Sequence, residues 1–301
     1  MLKIKPQIAV LLATFNGEDY LKEQLNSLQN QLGIEVFILA SDDCSLDLTP
    51  QLLNEALAVD SRITLLPSQK LGSAAANFFR LLRDADLTDV DYVALSDQDD
   101  IWLPYKLSHA IQVIATNNLD AYSSNVMAFW PNDKQKLINK AQPQRQWDYM
   151  FESAGPGCTF VLTQKLALDL QHFLITHQQK CQHIVLHDWF IYAFARSRGF
   201  NWLIDDESHM LYRQHAGNVV GANVGVKAKL ARWQKMREGW LMKQALLIAD
   251  ILGYNDAWPI QKLKRYDFID RLALIANVNK LRRRWRDRIA LALFLLLPFK
   301  K

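Results

Sequence analysis

Five aspartates fall into two tight groups, Asp42-Asp43 and Asp97, Asp99, Asp100, each at the end of a short apolar run (IEVFILA and DYVALS). A set this dense would repel an anionic nucleotide unless a divalent cation stood between them. Hard oxygen donors suit Mg2+ or Mn2+, which bridge carboxylates to substrate phosphates. The first apolar run, QIAVLLA, leads into Thr14-Phe15-Asn16-Gly17 and carries neither GxGxxG nor GxxxxGK[ST]. A dinucleotide-binding turn and a Walker-type phosphate cradle are therefore excluded there. One aspartate in a turn is explained by solvation alone; three polar clusters at equivalent places along the chain argue for one shared site.

The elements that must position these groups follow from periodicity. Apolar runs at 7–13, 34–40, 62–66 and 91–96 predict buried strands. Helical spacing separates them: at 20–28, from Thr49-Pro50 (proline suits a first helical turn), after Gly72 and over 104–116. Strands alternating with helices predict an α/β fold, a mostly parallel sheet with helices on both faces. All three polar clusters then lie at carboxyl ends of strands, where open sheets bind ligands. Beyond residue 120 the alternation loosens. A strand-like piece spans 120–129, CTFVLT follows Gly155-Pro156-Gly157, a helix covers 187–198, and short strands follow at 201–204 and 209–213. From 225 onward the chain reads as helical and basic.

With 301 residues, 50% hydrophobic and 22% charged, the chain has ample material for a packed core, which excludes a disordered, collagen-like or disulfide-stapled class. Cys44, Cys158 and Cys181 lack CxxC spacing and support neither a disulfide framework nor a zinc site, so a reducing, cytoplasmic setting is expected. The first apolar run is broken by Asn16, Gly17, Glu18 and Asp19 and reads as a strand, not a signal peptide.

The net charge of +4 conceals an asymmetry: residues 227–301 hold 18 Lys and Arg against 6 Asp and Glu, while the first 226 residues are acidic. Two units are expected, an α/β body at 1–226 and a basic helical extension at 227–301. Within the extension, Lys280-Leu281-Arg282-Arg283-Arg284-Trp285-Arg286-Asp287-Arg288 runs into the apolar stretch Ile289–Leu297. That stretch is too short to span a bilayer, which takes about 20 residues, but it can lie in the bilayer surface. With Trp233, Trp240 and Trp258 upstream, the tail suits an anionic membrane surface. The alternative is a helix packed on the body or on a second copy. No RNA- or DNA-binding motif accompanies the arginines, so no nucleic-acid partner is expected.

Six short motifs occur in order over residues 7–220: Thr14-Phe15-Asn16-Gly17; Ser41-Asp42-Asp43-Cys44-Ser45 with Asp47 and Thr49; Ser96-Asp97-Gln98-Asp99-Asp100; Gly155-Pro156-Gly157-Cys158-Thr159; His187-Asp188-Trp189; and Tyr212-Arg213-Gln214-His215-Ala216-Gly217-Asn218. With them the chain resembles the family 2 inverting glycosyltransferases, and more narrowly the rhamnosyltransferase-type members that build bacterial surface polysaccharides. The resemblance implies a GT-A fold, a Mg2+ or Mn2+ ion and a nucleotide-diphosphate sugar donor, dTDP-rhamnose ahead of a UDP-hexose. It also implies a lipid-linked saccharide acceptor in O-antigen or capsule assembly, with the enzyme peripheral at the inner face of the cytoplasmic membrane.

By position, the resemblance sets Thr14, Phe15 and Asn16 around the nucleotide, with Asp42 or Asp43 accepting the pyrimidine N3–H. Asp97 lies near the ribose and sugar, Asp99 with His215 holds the metal, and Arg213 lies at the diphosphate. Inversion needs a base for the acceptor hydroxyl proton, and the resemblance gives that role to Asp188. Gly157, Cys158 and Thr159, with His187 and Trp189, form the acceptor side. Cys44 stands where the family usually has glycine, which leaves the turn geometry open, and His187 stands where many members have glutamate. For Asp188 the alternative is a plain helix cap. For the whole chain it is a non-catalytic nucleotide-sugar- or glycan-binding module, which would have lost the base or the metal ligand.

Overall fold

The computed structural model describes residues 5–215 and 239–296. Trp233, the basic residues at 227–237, the Ala216-Gly217-Asn218 end of the sixth motif and residues 297–301 lie outside the described residues. The first part of the chain runs β1 (Gln7–Thr14), α1 (Leu21–Gln29), β2 (Glu35–Asp42), α2 (Thr49–Val59), β3 (Ile63–Leu65), α3 (Ala74–Asp84) and β4 (Tyr92–Ser96). After the short β5 (Ile101–Trp102) come α4 (Lys106–Asn117), β6 (Ala121–Ser124), β7 (Val126–Phe129) and β8 (Gln135–Ile138). Then follow β9 (Val161–Thr163), α5 (Gln164–Thr176), the single-turn α6 (Gln178–Cys181), α7 (His187–Ser197), β10 (Trp202–Asp205) and β11 (Met210–Arg213). Five more helices follow: α8 (Trp240–Leu252), α9 (Trp258–Arg265), α10 (Phe268–Ala276), α11 (Val278–Leu281) and α12 (Trp285–Leu296).

The main sheet has seven strands in the order β10-β6-β9-β4-β1-β2-β3, and only β9 runs antiparallel to its neighbours. Both faces are covered, as the unbroken apolar runs require. On β1, Ile8, Val10 and Leu12 enter a core with α1, α2 and α4, while Ala9, Leu11 and Ala13 enter the opposite core with α3, α5 and α7. The result is a mixed α/β fold of GT-A type, as expected. In α3, Phe78, Phe79, Leu81 and Leu82 are buried, and Ser73 caps the helix by accepting the Ala76 N–H at 3.2 Å, a contact worth about 1 kcal/mol.

The piece predicted as one strand at 120–129 breaks at Asn125. That side chain donates to the Asp206 carbonyl (2.8 Å) and accepts from the Lys140 N–H (2.6 Å). The break sends β7 into a second, four-stranded sheet of order β5-β11-β7-β8.

The C-terminal helices share the core of the body. Met242, Ala245 and Ile248 of α8, Ile260 and Leu263 of α9, and Leu291, Phe294 and Leu295 of α12 belong to the buried cluster that holds Phe78 and Phe190. Much of the basic run is consumed inside the protein rather than left as a free cationic patch. Arg283 is buried against Asp148, Arg282 pairs with Glu152, and Arg288 donates to the carbonyls of Arg282 and Arg283.

Candidate active site

Strand register brings the polar clusters to one edge. Thr14 stands opposite Asp42, and Leu12 opposite Ser96, so the ends of β2, β1 and β4 lie side by side where the strand order reverses. The loops after β1 and β2 are tied to each other. Asp42 accepts from the Thr14 hydroxyl (2.9 Å), the Ser45 hydroxyl (2.6 Å) and the Ser45 N–H (2.8 Å). Asp43 accepts from the backbone N–H groups of Leu71 and Gly72. The Asn16 N–H donates to the Ser45 hydroxyl (2.8 Å), and the Asn16 side chain accepts the Leu46 N–H (2.9 Å). Cys44 sits at φ 56°, in the left-handed region, which gives a conformational reason for the glycine usual in that turn. Phe15 is 54% exposed. Gln98 clasps its backbone from both sides, accepting the N–H (2.8 Å) and donating to the carbonyl (2.9 Å). A Cβ on Gly17 would meet Gln98 Oε1 at 2.3 Å, so the clasp requires glycine there.

The loop after β4 is wired differently. Asp100 is fully buried; one of its oxygens accepts the Arg213 N–H (3.2 Å), while Oδ2 has no hydrogen-bond partner among the described residues. Burial, with the charges of Asp99 and Asp97, pushes its carboxyl well above the usual range. Burial and the Asp99 charge raise Asp97 to about 7, against the lowering effect of the Cys158 thiol. The ligand atoms of Asp97, Asp100 and Cys158 lie within 4.8 Å of one another. Beneath them the buried Lys106 amine lies 3.4 Å from the centre of the Trp102 ring without a hydrogen-bond partner, and burial lowers it to about 7.

Asp99 meets His215, Oδ2 to Nε2, at 2.7 Å, and the imidazole leans on the Tyr20 ring. The Arg213 guanidinium donates to the Asp99 carbonyl (2.8 Å) and to Glu23, and it lies over Tyr20 and Phe129. The His215 imidazole on the Asp99 carboxylate, with Asp97 and a buried Asp100 oxygen without a partner in the same loop, offers donors of the type that suits Mn2+, or Mg2+ with waters.

Asp188 is the second residue of α7, half-buried. The cap position is Leu186, with no side-chain cap, so Asp188 is not a capping residue. Burial raises its carboxyl to about 6, against the Trp189 N–H (2.7 Å) and the Lys140 charge. Asp97 lies close enough to feel its charge. His187 stacks on Phe78 with ring centres 4.0 Å apart, and burial holds it neutral at about 3. A Cβ on Gly157 would meet His187 Nε2 at 2.4 Å.

Three residues expected on the acceptor side belong to the core instead. Cys158 and Thr159 are fully buried in a 3-10 turn, and Trp189 is buried with its indole N–H on the Tyr149 carbonyl (2.9 Å). The turn runs straight into β9, between β4 and β6, which draws these side chains inward. The structure therefore gathers Asp97, Asp99, Asp188, Arg213 and His215, while Asp42 is held by Thr14 and Ser45 and Asp43 by the loop before α3.

Sequence reasoning missed Gln98, Glu23 and Lys106. It also missed Asn77 and Arg80 of α3, which hold the Ser41 carbonyl (2.9 Å) and hydroxyl (3.2 Å). Polar residues on the apolar face of α3 were the available signal for that pair.

The profile of glycosyl transferase family 2 matches residues 9–184, which include the loops after β1, β2 and β4 and the turn before β9. The dTDP-rhamnosyl transferase RfbG of Shigella flexneri is 43% identical over 288 residues, 95% of this chain and 99% of that protein. Among solved structures, S. aureus TarS 1–349 in complex with UDP superposes with a TM-score of 0.53 at 16% identity, over 83% of this chain and 71% of that one. The mannosyltransferase PcManGT from Pyrobaculum calidifontis, in complex with GDP-Man and Mn2+, gives 0.53 at 14% identity, over 98% and 86%. With a GT-A sheet, acidic loops at its strand ends and a relative alike over nearly its whole length, the chain belongs to glycosyl transferase family 2 and is a glycosyltransferase.

Proposed function

We propose that the enzyme moves rhamnose from dTDP-rhamnose, with inversion, onto a lipid-linked saccharide in surface-polysaccharide assembly. The observation that carries the reading is the 43% identity, over 95% of the chain, to a dTDP-rhamnosyl transferase. The site's geometry supports the chemistry. Asp99 and His215, with Asp97 beside them, would hold Mg2+ or Mn2+, which when bound neutralises charge developing on the leaving diphosphate. Arg213 adds fixed positive charge on that side. Phe15 offers an exposed ring to the base, and the oxygens of Asp42 and Asp43 have lone pairs left for the pyrimidine N3–H. Asp188 takes the acceptor hydroxyl proton as that oxygen attacks the anomeric carbon. At about 6 its carboxyl is ionised at neutral pH and more basic than an ordinary aspartate. Residues 1–226 are the catalytic unit in this reading and 227–301 a basic extension, whose helices α8 to α12 pack on that unit.

The extension's outer surface supports membrane association as part of this reading. Phe268, Ile269 and Leu272 of α10 and Trp285, Ile289 and Leu293 of α12 are exposed on two helices that pack together, with Lys264, Arg265 and Arg286 also exposed. No described helix is long and apolar enough to cross a membrane. Exposed apolar side chains accompanied by cations suit the face of an anionic bilayer.

Titration calorimetry with dTDP, UDP, GDP and ADP, each in Mn2+ and in EDTA, tests the donor. Metal-dependent preference for dTDP is expected. Preference for UDP moves the donor to a UDP-hexose, and failure to bind any nucleotide leaves a GT-A fold without its expected ligand. Flotation with anionic liposomes tests the surface; wild-type protein left unbound would remove the membrane from the proposal.

A further inference from the structure

We propose that Arg283, contributed by the C-terminal helices, is a positioning residue for the Asp188 base; this rests on Asp188 being that base. The segment from Asp148 to Gly157 lies between the two. Arg283 donates to Asp148 Oδ2 (2.9 Å) and to the Ser153 carbonyl, and its backbone N–H donates to Glu152 (2.6 Å). Just upstream, the Lys280 carbonyl accepts the Trp147 N–H (2.9 Å). Asp148 also accepts from the Tyr192 hydroxyl (3.0 Å) and pairs with Arg196 (3.4 Å), both on the helix that begins with the base. Arg283 and Asp148 are 2% and 0% exposed, so the junction is sealed from water.

The same clamp grips α7 at two points. Asp148, which Arg283 holds, accepts the hydroxyl of Tyr192, one turn past the base. Trp189, next to the base, is fixed by the Tyr149 carbonyl within the same segment. The charged groups that face Asp188 are Lys140, from the chain after β8, and Asp97, at the end of β4; its neighbour His187 is neutral. Glu152, Asp287 and Arg283 in turn surround Lys140. A residue remote in sequence thus fixes where the base stands and what surrounds it, and a displacement of about 1 Å at such a group can cost about 100-fold in rate.

The test uses the full chain with Arg283→Lys, which keeps the charge but loses the two-pronged grip, and Tyr192→Phe, which removes the hydroxyl that ties α7 to Asp148 and leaves the Arg283–Asp148 pair intact. Both variants should lose about tenfold or more in kcat while binding dTDP in Mn2+ as the wild type does. The KM for the donor should stay at the wild-type value in both, so that the loss falls on kcat. Wild-type kcat in both variants would overturn the proposal. So would a lowered melting temperature with kcat unmoved, which is the mark of a merely structural contact. Asp188→Asn in the parent separates the two readings: retained turnover there removes the base itself, whereas a dead Asp188→Asn beside normal Arg283 and Tyr192 variants removes this inference alone.

Discussion

Asp42 and Asp43 at the end of β2 and Asp100 at the end of β4 are comparably buried, at 3%, 6% and 0% exposure. Their surroundings differ. The first two meet hydroxyls and backbone N–H groups of their own and neighbouring loops, whereas Asp100 keeps an oxygen without a partner, and Asp97 and Asp188 are raised to about 7 and about 6. Asp47 makes the same point from the satisfied side: burial opposes its charge, but the Thr49 hydroxyl and the N–H groups of Glu18 and Thr49 outweigh it and lower its carboxyl. Burial alone therefore does not decide what a carboxylate does; the donors supplied by its own chain do. Satisfied carboxylates shape the loops, and under-satisfied ones stand ready for a cation or a proton.

Asp188→Asn tests the contrast most sharply. It should lower kcat by about 10²- to 10⁴-fold, leave dTDP affinity intact and leave the melting temperature no lower, because it removes an under-satisfied charge. In the parent, kcat should fall as pH drops through about 6, since the base must be ionised and its carboxyl is raised, not lowered. Near-normal turnover in the variant would remove Asp188 as the base. Next, Asp99→Ala should reduce donor binding in Mn2+ to the level seen in EDTA; an unchanged metal requirement would reassign the ligand. Asp42→Ala should show the opposite signature, a loss of about 1–3 kcal/mol in denaturant unfolding as Thr14 and Ser45 lose their acceptor. If it unfolds like the parent, the contrast between the two groups fails. Smallest is Cys44→Gly, expected to gain at most about 1 kcal/mol by relieving a left-handed cysteine, measured by the shift in urea midpoint.

Strands β1, β2 and β4 and helices α2, α4 and α7 were legible because each is a run with one clear period and a chemical stop, such as Pro50 at the start of α2. Helix α5 drew no separate reading. The place of β9 was hidden too: three residues carry little periodicity, and its antiparallel pairing with β4 and β6 is a long-range choice. At the site, the motifs named the aspartates, Arg213 and His215, but not which carboxylates would be satisfied. That depends on Thr14, Ser45 and the N–H groups of Leu71 and Gly72, whose approach is made by the fold. The arginines from 282 to 288 read as free cations because sequence shows their charge and not Asp148 or Glu152 waiting across the core.

The position of β9 also bears on how the chain is made. Strands β3, β2, β1 and β4 are contiguous in the sheet and all emerge early, so this block can assemble first. Until Val161–Thr163 emerge, however, β4 keeps one edge bare, and Val93, Ala94 and Leu95 along it are fully apolar and buried in the finished protein. An unpaired apolar edge is a template for pairing with another chain. The inverted strand thus covers that edge only when about half of the chain has been made, and a nascent chain that stalls before it presents an adhesive edge to its neighbours.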